Sequence, residues 1–86
     1  MSILNETKET LTAKINQYQN YANQYKNDLD TIQNRINELL SDPQQRLSYN
    51  SPKIVYLTDS YNNLIEGYKG YISYVNALKE RLEGME

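Results

Sequence analysis

Residues 11–39 read LTAKINQYQNYANQYKNDLDTIQNRINEL, and residues 51–84 read SPKIVYLTDSYNNLIEGYKGYISYVNALKERLEG. In the first stretch and just before it, Leu4, Leu11, Tyr18, Tyr25, Ile32 and Leu39 fall every seventh position. Ile15, Ala22, Leu29 and Ile36 interleave with them at alternating spacings of three and four. In the second stretch Ile54, Tyr61, Tyr68, Val75 and Leu82 repeat the pattern, interleaved with Leu57, Leu64, Tyr71, Leu78 and Met85. An apolar stripe with a mean spacing of about 3.5 residues turns to one side of an α-helix and must be buried against another helix. The two ladders therefore predict an all-α chain, an antiparallel two-helix hairpin of coiled-coil type.

The boundaries follow from the punctuation. Ser2 is an N-cap candidate, with Glu6 and Glu9 where negative charge suits the helix dipole, so the first helix is expected over about 3–40. At about 1.5 Å per residue it forms a rod of roughly 55 Å. Lys8 falls on the seam near the free end, where its stem can lie along the stripe while its charge reaches water. Ser41-Asp42-Pro43 ends the helix, because proline lacks an N–H and disfavours helical backbone in the residue before it. Asp42, Pro43 and Gln45 also resemble a new helix start, so the hinge at 41–51 is expected to hold one short turn over 43–48. Ser51-Pro52 repeats the start signal for a second helix over about 52–84, with Gly84 as its C-terminal cap. The run Lys53-Ile-Val-Tyr-Leu57 is β-prone, and a short strand there is the alternative. Asp59-Ser60 is a place for the helix to fray or bend.

At 86 residues with a formal charge of −2, this is one domain with a small core. The second helix is apolar beyond its seam, with Ile65 and Ile72 on one side and Tyr74 on the other. That is more than one partner helix covers, so assembly into a four-helix bundle or larger helical oligomer is expected. The charge balance argues against a nucleic-acid or anionic-membrane partner. With no cysteine and no histidine, disulfides, Cys/His zinc sites and histidine acid–base chemistry are excluded. No leader-like segment is present: Ile3 and Leu4 are followed at once by Asn5 and Glu6. No window approaches the roughly 18–20 apolar residues of a membrane span. The chain is expected in the cytoplasm, or exported by a signal-independent route.

The aromatic usage is lopsided: nine tyrosines, no phenylalanine, no tryptophan, beside eleven asparagines. These residues have A/T-rich codons, and the bias points to a low-GC bacterium, its phage or another mobile element. A hairpin hinged at 41–53 pairs residues whose numbers sum to about 93–96. That register sets Tyr25 against Tyr68 and Tyr71, Tyr21 against Tyr74, and Tyr18 against Val75 and Leu78. Six tyrosines thus gather at mid-rod, filling a wide core with their hydroxyls at the rim or forming a contact surface of the type rich in tyrosine. The candidate interaction residues are Tyr18, Tyr21, Tyr25, Ile65, Tyr68, Tyr71, Ile72 and Tyr74. In the hinge, Arg46, Tyr49 and Lys53 are candidate contacts. Gly67 and Gly70 lie three apart on one face, each costing up to about 1 kcal/mol against alanine. They mark close packing of another helix, a mild bend or a recognition notch, and no strand precedes them as a phosphate loop requires.

No catalytic, metal or cofactor site is legible. Asp28 and Asp30 diverge on a helix, while Glu80 and Glu83 stand among Lys79 and Arg81 as a solvated tip. The asparagines lie mostly off the seam, and serines and lysines have no base or enclosing pocket beside them. The length, the hairpin and the Ser41-Asp42-Pro43 hinge followed by Leu47 and Tyr49 resemble type III secretion needle subunits. The chain lacks their N-terminal tryptophan region and ends in Gly84-Met85-Glu86 instead of an apolar tail. The layout is also similar to the small WXG-type secretion partners, without their Trp-x-Gly. Both are resemblances of shape and assign no family. The expected function is a non-enzymatic protein–protein interaction module that self-associates: a small adaptor, assembly factor or inhibitor of phage-like type. The alternatives are an oligomer that sequesters a small polar molecule such as a nucleotide signal, and a structural subunit of a secretion or virion assembly.

Overall fold

The computed structural model describes residues 7–85. Two helices, α1 (Lys8–Ser41) and α2 (Pro52–Gly84), fold back on each other, and there is no strand among the described residues. The hairpin is a thin rod, 61 × 17 × 16 Å.

Thr7 sets the start of α1. Its backbone is extended (φ −112°, ψ 168°), and its side chain accepts from the Thr10 N–H at 3.1 Å. The Thr10 hydroxyl oxygen accepts from the Thr7 N–H at 2.9 Å. This reciprocal capping box satisfies two N–H groups that a helix start otherwise leaves unpaired. With Thr7 as its cap, α1 begins at Lys8, which is exposed in the first turn, and the expected start near residue 3 lies outside the described residues. The proposed Ser2 cap, Glu6 and the Leu4 rung lie outside the described residues.

The hinge is less helical than expected. Asp42 is extended, as a residue before proline tends to be. Its carbonyl accepts from the Gln45 N–H at 3.2 Å and its carboxylate from the Gln44 N–H at 2.9 Å. The resulting turn covers Pro43 to Gln45 only. Arg46 then takes φ 52°, a left-handed conformation that stops any helical continuation to 48. A second turn ties Ser48 to Ser51: the Ser48 N–H donates to the Ser51 hydroxyl at 2.9 Å, and the Ser51 N–H to the Ser48 carbonyl at 3.0 Å.

With its hydroxyl so engaged, Ser51 gives α2 no side-chain cap, and Pro52 opens the helix with the φ that suits its first position. Lys53–Leu57 is helical, so the strand alternative fails; without a partner strand, β-propensity has nothing to pair with. The helix passes through Asp59-Ser60 unbroken, the Ser60 hydroxyl donating to the Tyr56 carbonyl at 3.0 Å. At the far end Gly84 is the last helical residue instead of the cap. Met85 takes that position with helical backbone, its N–H reaching the Leu82 carbonyl at 3.1 Å.

Among the described residues the buried ones are the ladder residues Leu11, Ala22, Leu29, Ile36 and Leu39 of α1 and Ile54, Val75 and Leu78 of α2. Aliphatic rungs close the seam toward both ends of the rod. Between them the seam residues Tyr18, Tyr25, Tyr61, Tyr68 and Tyr71 stay half-buried.

Candidate interaction surface

Tyr18, Tyr21 and Tyr25 follow one another on α1 at spacings of three and four, so their rings stack along one side of that helix. Tyr71 and Tyr74 do the same on α2. Across the seam Tyr18 meets Tyr74 edge-on, with centroids 4.8 Å apart and planes at 87°. Tyr71 is the hub: it lies 5.9 Å from Tyr18, 5.5 Å from Tyr21 and 5.5 Å from Tyr25. Tyr18 and Tyr21 also pack edge-on at 5.6 Å. Such pairs contribute about 0.5–1.5 kcal/mol each beyond the area they bury.

Five of the six expected rings therefore come together. Tyr25 meets Tyr71 as expected, but Tyr68 makes no ring pair among the described residues. The ring partners of Tyr21 are Tyr18 and Tyr71, not Tyr74, which packs on Tyr18 instead. The ring pairs across the seam have residue numbers summing to 89–96, so the register reaches up to about a turn below the one expected.

The cluster is open on its outer side. Tyr21 is 37% exposed and Tyr74 43%. The Gln17 amide donates to the Tyr21 hydroxyl at 3.1 Å. No buried side-chain nitrogen or oxygen among the described residues lacks a hydrogen-bond partner, so the remaining hydroxyls reach the solvent rim, as burial of a tyrosine requires. Two hollows flank Tyr25 and Tyr71. One, of about 320 Å³, is lined by Tyr21, Gln24, Tyr25, Asp28, Leu64 and Tyr71. The other, of about 350 Å³, is lined by Tyr25, Gly67, Gly70, Tyr71 and Tyr74.

The two glycines have different roles. A Cβ built on Gly67 would stand 3.0 Å from Tyr25 Cε1 and 3.1 Å from its Cζ, so Gly67 seats the Tyr25 ring. A Cβ on Gly70 would meet nothing within 4 Å. Close packing, one of the roles expected for the pair, holds for Gly67, while Gly70 floors an open hollow.

Ile65 and Ile72 are half-buried. At 100° per residue they project about 160° away from Gly67 and Tyr74 around α2, on the other flank of the seam. The eight residues expected to act together thus divide between two sides of the rod. In the hinge Arg46, Tyr49 and Lys53 are exposed as expected. Beside them Tyr56 is 70% exposed and Val55 is exposed as well. Both fall off the seam and so have no core to enter, and that spacing is their signal in the sequence.

Charge is spread along the outside. Lys26 pairs with Asp30 at 3.6 Å, Arg35 with Glu38 at 3.8 Å and Lys69 with Glu66 at 3.8 Å, all well exposed and worth about 0–1 kcal/mol each. No group of three acidic side chains that could hold a metal ion occurs among the described residues. Nor is any described helix long and apolar enough to cross a membrane. Compared with known proteins, the chain matches no family model, no curated relative and no solved structure.

Proposed function

We propose that this chain is a non-enzymatic protein–protein interaction module, a small adaptor, assembly factor or inhibitor that acts as a homo-oligomer. The observation that supports this reading is the open tyrosine cluster. Five rings are held in fixed mutual geometry by two helices, with Tyr21 and Tyr74 presented to solvent. Rigid tyrosines lose little entropy on docking and combine apolar area with a hydroxyl, which makes them frequent energetic centres of interfaces.

The test is a photo-activatable side chain placed at Tyr21 in native cells, with Asn34 on the exposed polar side of α1 as control. The expected outcome is a discrete covalent adduct with another protein from position 21 and none from position 34. Equal labelling from both, or none from either, overturns the reading.

A second reading draws on the two hollows. Tyrosine rings with Gln24 and Asp28 at their edge suit a small polar molecule with a flat ring, which an oligomer could enclose. Native mass spectrometry of the protein purified from its own cells distinguishes the two: a retained small-molecule mass supports sequestration, and a bare protein supports the interaction module.

A further inference from the structure

The two hollows share Tyr25 and Tyr71 and differ in their other walls. One adds only Gly67, Gly70 and Tyr74. The other adds Tyr21, Gln24, Asp28 and Leu64. Tyr21, Gln24, Tyr25 and Asp28 lie at i, i+3, i+4 and i+7 of α1, so they share one side of that helix. From α2, Tyr71 stands 5.5 Å from both Tyr21 and Tyr25, its plane inclined at 50° to the first and 41° to the second. The three rings thus make an angled wall instead of a flat stack, and Asp28 stands at one end of it.

Asp28 is the only charged residue that lines this hollow. The cations nearest in sequence are turned elsewhere. Lys26 projects about 200° round α1 from Asp28 and pairs with Asp30 at 3.6 Å. Lys69 pairs with Glu66 at 3.8 Å on α2. Asp28 itself enters no ion pair and no side-chain hydrogen bond among the described residues. The lining is therefore rich in acceptors: a carboxylate, the Gln24 amide oxygen and three phenol oxygens, with no lysine or arginine among them. Its volume of about 320 Å³ is at the lower end of the roughly 300–1,000 Å³ of small-molecule sites, which is room for the head of one side chain.

We infer, on the interaction reading above, that this hollow receives an arginine side chain of the partner protein. A guanidinium is planar and weakly hydrated, so it stacks on aromatic rings, and its donors form a fork that matches a carboxylate. Three tyrosines supply the rings and Asp28 the carboxylate. A lysine ammonium would meet the same charge with a point contact and would leave the ring wall less well used. The hollow floored by Gly70 has rings but no charged group, so the same cation gains less there.

The experiment is a titration of the isotope-labelled full chain with N-acetyl-arginine amide, followed by amide NMR at matched ionic strength. N-acetyl-citrulline amide, the neutral isostere, is the control. The expected result is saturable shifts at Tyr21, Gln24 and Asp28 with a dissociation constant of roughly 10–50 mM, and none of that size with citrulline. Asp28 is exposed, so Asp28→Asn keeps the fold, checked by circular dichroism, and should raise the constant about threefold or more. No saturation, equal shifts with citrulline, shifts centred on Gly70, or an unchanged constant in Asp28→Asn overturns the assignment. A protein adduct from position 21 alongside any of these would leave the interaction reading standing. The source of the cation is read in native cells by adding Asp28→Asn to the photo-activatable chain, which should lower the adduct yield. An unchanged yield with a positive titration would assign the hollow to a free guanidinium compound and overturn the partner's arginine.

Discussion

The ring of Tyr25 occupies the place where a side chain on Gly67 would begin, with the Cβ position 3.0 Å from Cε1 and 3.3 Å from the hydroxyl oxygen. The ring is also in contact with Tyr71, with centroids 5.5 Å apart, so moving it disturbs that pair. Gly67→Ala should therefore destabilise the hairpin by about 1 kcal/mol, the strain outweighing the gain in helix propensity. Gly70→Ala, with open space above it, should stabilise the monomer by about 0.5–1 kcal/mol. Urea melts at a concentration below that of self-association give both signs; two changes of the same sign would contradict the assignment.

Tyr71 should be the most costly tyrosine to remove. It contacts three rings of the opposite helix, and truncating a large core aromatic costs about 3–5 kcal/mol, with a half-buried ring at or below the low end. Tyr68→Ala should cost less, since that ring joins no cluster. Tyr49→Ala in the exposed hinge should change stability by under about 0.5 kcal/mol. Chemical denaturation of the three variants should give this order; equal small shifts would mean that the cluster contributes to contact with a partner and not to the fold.

Thr7→Ala should remove both bonds that involve the Thr7 hydroxyl at the start of α1 and cost about 1 kcal/mol. The loss is local. Amide hydrogen exchange should accelerate at residues 8–11 while α2 keeps its protection.

Arg46→Gly should stabilise the chain by about 0.5–1 kcal/mol, because a side chain at φ 52° carries strain that glycine lacks. Thermal unfolding of wild type and variant at equal protein concentration reads the shift. A lower melting temperature would show that the Arg46 side chain contributes more to the hinge than its backbone costs.

The sequence by itself determined that there are two helices, where the chain turns and which rungs enter the core. The 3.5-residue repeat is a local code: Leu11, Leu29, Leu39, Ile54 and Leu78 declare their side of the helix whatever lies opposite. Pro43 and Pro52 break the chain through their own missing N–H groups. Only the tertiary structure decided the rest. Helix ends went to whichever groups found a bond, so the Thr7–Thr10 pair set the start of α1 and Met85, not Gly84, took the cap of α2. The tyrosine register differs from the expected one because antiparallel helices align where opposing side chains interlock, and that depends on residues far apart in sequence. Gly67 and Gly70 look alike in the chain, but one lies under the Tyr25 ring and the other under open solvent. The difference comes from α1, which packs over the first glycine and leaves the second uncovered.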